Sequence, residues 1–93
     1  MSDSSASIPS KTQLVLREVS QERDRQNAKW GGPEHDDQHP TEEFVQLIKD
    51  YAGWARAMSG MNSPDKARAR LIQVAALAVA AVESIDRKNR GGA

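Results

Sequence analysis

The run Leu71–Val82, "LIQVAALAVAAV", constrains the fold more than any other stretch: Gln73 is its single polar residue. As a helix it would reach about 18 Å, too short to cross a bilayer. A helix that is apolar on nearly every side is buried on nearly every side. Two partner helices from a chain of 93 residues cannot easily surround it. The run therefore predicts an obligate homo-oligomer, a dimer or larger, built through this helix. Its alanines at 75, 76, 78, 80 and 81 would let neighbouring backbones approach closely.

The rest of the chain reads as helical too. Ser63-Pro64-Asp65 combines a cap, Pro at the first helical position and an acid in the first turn, so the third helix is expected over about 64–89. Phe44, Leu47, Ile48, Tyr51, Ala55 and Met58 recur at helical spacing, which predicts an amphipathic second helix over about 42–59 with Thr41 as its N-cap. Ser10 and Gln13 form a capping box for a first helix over about 10–30, which Gly31-Gly32-Pro33 should end. No strand pattern or repeat is visible. The expected class is all-α: three helices in one domain over 10–90, with disordered tails at 1–9 and 91–93.

Composition removes several function classes. Thirteen basic and thirteen acidic residues cancel, which leaves no excess charge for a nucleic-acid duplex or an anionic membrane. Cysteine is absent, so there is no disulfide, thiolate nucleophile or thiolate-bound zinc. The N-terminus lacks the basic and apolar regions of a secretory signal. A small soluble intracellular protein is expected.

The first helix changes character along its length. Extending the stripe of Leu16 and Val19 by helical spacing lands on Arg23, Gln26 and Trp30, so its inward face is apolar, then polar, then aromatic. Buried polar groups must find partners. Those partners are Asp36 or Asp37 from the following loop, or a ligand. Arg23 and Lys29 could hold a phosphate, and Trp30 offers a flat face for a base. The plain alternative is that Trp30 is core and the charges are a solvated face.

His35, Asp36, Asp37 and His39 are the densest set of potential metal ligands. A Pro-flanked loop denies the two His the one-turn helical spacing of a zincin. A loop that caps helix ends uses the same residue types. Glu83 and Asp86 share a helix face and could hold a divalent metal if a second acidic pair faced them. Arg68 and Arg70 point to different faces, and one could line an anion site between subunits.

The combination "ERDRQNAKWGGPEHDD", a long helix, and "RLIQVAALAVAAVESIDR" resembles MazG-type all-α NTP pyrophosphohydrolases of small phage and bacterial proteins, over roughly residues 18–88. The resemblance implies a helical bundle that dimerises or tetramerises. In such enzymes an E-x-x-E pair and an E-x-x-D pair hold magnesium against a nucleoside triphosphate. Here Asp50 could stand for one acid, but Gly53 occupies the other position. Arg68, Ala69 and Arg70 stand where the second pair should fall, and Glu83–Asp86 comes several turns later.

The leading expectation is a non-catalytic nucleotide binder without a cofactor, cytoplasmic in a bacterial host. A phage-encoded sponge for an immune second messenger would fit it. Its ligand-binding residues would be Arg23, Gln26, Lys29, Trp30, His35, Asp36, Asp37, Arg68 and Arg70. One alternative is a pyrophosphohydrolase that gathers magnesium or manganese on Asp50, Glu83 and Asp86. Another is an adaptor that inhibits a host factor.

Overall fold

The computed structural model describes residues 9–91. Four helices follow in order: α1 Lys11–Trp30, α2 Gly32–Asp37, α3 Thr41–Gly60 and α4 Pro64–Gly91. The all-α class is as expected, but the helix count rises from three to four. Where the sequence predicts a loop around His35, the chain forms α2. Gly31 adopts φ 108°, ψ 8°, which breaks α1, and Pro33 then favours an immediate restart. The reading of residues 1–9 as a tail falls, apart from Pro9, outside the described residues. So do 92 and 93, while α4 runs on through Gly91.

The helix ends follow local chemistry. Ser10 Oγ accepts from the Gln13 amide at 3.1 Å, and Gln13 Oε1 accepts from the Ser10 amide at 2.8 Å, the reciprocal box that the spacing predicts. The Gly31 amide donates to the Asn27 carbonyl at 2.9 Å. At α3 the expectation is corrected by one residue. Pro40, with extended φ and ψ, is the cap position, and Thr41 is already helical. Pro40 has no side-chain acceptor for the first amides. Glu42 and Glu43 in the first turn supply the charge that the helix dipole favours.

α4 is the spine. α3 packs only on α4, α1 packs on α4 and α2, and α1 and α3 do not pack on each other. The buried apolar set is small and mostly alanine: Ala55, Ala67, Ala76, Ala80 and Ala81, with Val19, Phe44 and Leu77. Phe44 meets Ala80 and Ala81 and so fixes the start of α3 on α4. The chain measures 46 × 41 × 20 Å with a radius of gyration of 15.8 Å; a compact domain of this length would have about 12 Å.

This thin shape leaves one expectation unmet within a single chain. α4 is not enclosed: Leu71, Val79, Val82 and Ile85 are exposed, as are Leu14, Val15 and Leu16 on the first half of α1. The reason is geometric, because one helix on each flank cannot cover a cylinder. Among the described residues, no helix is long and apolar enough to cross a membrane.

Candidate functional site

The buried residues of α1 are Val19, Arg23 and Gln26, the inward stripe that helical spacing predicts. Leu16, one turn earlier, is exposed. Arg23 is 8% exposed, and a guanidinium that deep needs compensation. Its Nη2 donates to Asp36 Oδ2 at 3.5 Å and to Glu83 Oε1 at 3.2 Å. The restart of the chain into α2 is what brings Asp36 back over α1.

Gln26 is 2% exposed, deeper still. Its Nε2 donates to Glu22 Oε2 at 3.2 Å. Glu22 also receives Arg25 Nε at 2.9 Å and Nη2 at 2.6 Å. Those Arg25 bonds hold the Glu22 carboxyl below its ordinary range, against partial burial that raises it. Glu22 is therefore a carboxylate near neutral pH, an acceptor and never a donor. That fixes the Gln26 amide with nitrogen toward Glu22 and oxygen away from it.

The gap between α1 and α3 is a cleft of about 470 Å³, floored by Leu77 and Ala80 of α4. Arg23, Gln26 and Trp30 form the α1 wall, His35, Asp36 and His39 one end, and Phe44 and Leu47 the α3 wall. Its size falls within the usual range of small-molecule sites. Among the described residues, three buried side-chain polar atoms lack a hydrogen-bond partner: Arg23 Nε, Gln26 Oε1 and His35 Nδ1. All three belong to residues that line this cleft. Buried polar atoms are rarely left unpaired, since each costs about 1–3 kcal/mol.

The end containing the two histidines is held by backbone and charge. The rings of His35 and His39 lie 4.4 Å apart between centroids. His39 Nδ1 donates to the His35 carbonyl at 2.8 Å, which leaves Nε2 toward Glu43 at 3.8 Å. Lys88 Nζ donates to the His39 carbonyl at 3.0 Å and so ties this corner to α4. Asp37 turns the other way. It accepts from Ser84 Oγ at 2.9 Å and from Arg87 Nη2 at 2.8 Å. The Arg87 bonds, and secondarily the Ser84 bond, hold its carboxyl below the usual range despite some desolvation.

The residues singled out in the sequence divide accordingly. Arg23, Gln26, Trp30, His35 and Asp36 come together in the cleft. Lys29 is exposed, with Nζ 5.6 Å from the centroid of the Trp30 ring. Asp37 serves as a latch between α2 and α4. Arg68 forms a two-pronged pair with Glu18 at 2.8 and 2.6 Å, outside the cleft. Arg70 stacks on Trp54, with its guanidinium carbon 5.0 Å from the ring centroid, and on Tyr51 at 5.7 Å. Asp50 accepts from Gln46 at 2.9 Å. Glu83 is engaged by Arg23, and Asp86 is exposed. Among the described residues, no three His, Asp or Glu side chains are grouped to hold a metal.

Sequence reasoning missed the far wall. Phe44 and Leu47 read only as part of the core stripe of α3. The available signal was their position immediately after the histidine turn. No family model, curated protein or solved structure matches the chain significantly.

Proposed function

We propose that the cleft between α1 and α3 captures a flat heteroaromatic small molecule of the nucleotide class, and that the chain binds this molecule without converting it. The observation that carries the reading is that Arg23 Nε, Gln26 Oε1 and His35 Nδ1, buried and unpaired, all belong to residues that line one cleft. A donor and an acceptor one helical turn apart match the alternating donor and acceptor edge of a nucleobase. Phe44, Leu47, Leu77 and Ala80 supply apolar contact for its faces. Trp30, half-buried at the end of α1, is placed for stacking.

Charge decides which part of the ligand enters. Asp36 and Glu83 both reach Arg23 Nη2 within 3.5 Å, and Glu43 adds another carboxylate to the wall. A phosphate at Arg23 would face those carboxylates. The heterocycle is therefore the buried part, and phosphates project outward toward Lys29. Affinity should follow the base and vary little with phosphate number. A free nucleotide or a nucleotide-derived signal would both satisfy this geometry.

Isothermal calorimetry against nucleosides, nucleoside mono-, di- and triphosphates and cyclic dinucleotides tests the reading. Saturable heat with at least one base type, retained in its nucleoside, is expected. No heat with any member of the panel would count against it.

A further inference from the structure

We propose that Glu22 and Arg25 set which heterocycle the cleft accepts, by holding the Gln26 side-chain amide in one orientation. The inference rests on the nucleotide reading of the cleft. Glu22 and Arg25 line a separate groove between α1 and the start of α4, not the cleft. Gln26 connects the two, because it lines the cleft and its Nε2 donates to Glu22 Oε2 at 3.2 Å. An amide has an acceptor end and a donor end, and a half-turn about its last side-chain bond exchanges them. At Gln26 that exchange is blocked. With Oε1 toward Glu22, two acceptors would meet with no proton between them. Glu22 cannot supply the proton, because Arg25, bonded at 2.9 and 2.6 Å, keeps it a carboxylate.

Gln26 Oε1 is therefore a fixed acceptor that calls for an N–H. Arg23 Nε, one turn earlier, is a fixed donor, since a guanidinium has no acceptor. Neither atom has a partner among the described residues. A heterocycle that completes both carries a donor beside an acceptor on one edge. All four common bases can do so: adenine, for example, sets its N6 amino group beside N7. With Gln26 turned round, the cleft would offer two donors and call for two neighbouring acceptors. Guanine has that pair in O6 and N7, and cytosine has it in N3 and O2. Adenine and uracil present no such parallel pair on one edge. Glu22 and Arg25 are thus positioning residues, and their effect falls on selectivity between bases rather than on binding as such.

Calorimetry of the full chain with adenosine, guanosine, cytidine and uridine tests this. Glu22→Lys combined with Arg25→Glu keeps an ion pair in the groove but makes position 22 a donor, which turns Gln26 round. In this double variant the affinity ratio should move about tenfold or more from adenosine toward guanosine, or from uridine toward cytidine. The milder Glu22→Gln can accept or donate, so it should move the ratio less and in the same direction. In the free proteins, the Gln26 side-chain N–H bonded to the Glu22 carboxylate should resonate downfield in wild type and move upfield in the double variant. An unmoved resonance, or unmoved ratios in variants that still bind a nucleoside, would overturn the proposal and leave the nucleotide reading standing. No binding of any nucleoside by the wild type would overturn both.

Discussion

Gln26 gives its amide nitrogen to Glu22 at 3.2 Å, and that bond leaves its oxygen buried and unpaired on a residue that lines the cleft. A stabilising contact on one side thus creates an unsatisfied acceptor on the other. The arrangement makes sense if something else completes it.

Gln26→Leu separates binding from stability. It removes an acceptor that the unliganded fold leaves unpaired, so the free protein should melt no lower than wild type, or slightly higher. Ligand affinity should fall about tenfold or more, the equivalent of roughly 1.4 kcal/mol. Thermal melts with and without ligand would show both effects. A large drop in the melting point of the free protein would mean that Gln26 is structural.

Arg23 and Asp36 behave differently. Asp36→Ala leaves a buried guanidinium with Glu83 alone, and Glu83 is half exposed. Breaking a buried pair from one side costs about 3–5 kcal/mol, and the remaining partner points to the lower end. Urea unfolding should show the loss in midpoint with little change in slope.

Gly31 holds φ 108°, which favours glycine over any L side chain. Gly31→Ala should destabilise by roughly 1–2 kcal/mol. The Cβ would also meet His35 Cβ at 3.4 Å, an ordinary contact, so the cost is in the backbone. A shift in melting temperature with unchanged helicity would confirm that attribution.

The Asp37–Arg87 latch carries the pH dependence. The folded carboxyl of Asp37 lies below its ordinary value of 3.8. The unfolded chain therefore binds the proton more readily, and the latch stabilises fully only above that ordinary value. Its contribution should fade as pH drops below about 4 and be gone below the folded value. Asp37→Asn should flatten this acid limb of stability and leave the neutral side nearly unchanged in shape.

Legibility in the sequence varied with the range of the interaction. The capping box at Ser10 and the starts at Thr41 and Pro64 rest on residues within one turn, so spacing alone located them within a residue. The inward run Val19, Arg23, Gln26 was legible because helical spacing projects a face whatever covers it. α2 was not, since six residues carry too little periodicity and Pro33 reads equally as a stop or a start. Arg68 was unreadable for another reason. Its partner, Glu18, is fifty positions away, and only tertiary packing brings the two together. The far wall of the cleft was hidden because apolar residues that line a cavity and those that fill a core share one pattern.

The most direct measurement uses Trp30 as its own reporter. In a Trp54→Phe background Trp30 is the sole indole, and its fluorescence can be titrated with individual nucleosides and nucleotides. Saturable quenching by at least one base is expected, similar for its nucleoside and triphosphate, and abolished by Gln26→Leu. Quenching by none of them, or quenching that survives Gln26→Leu unchanged, would contradict it.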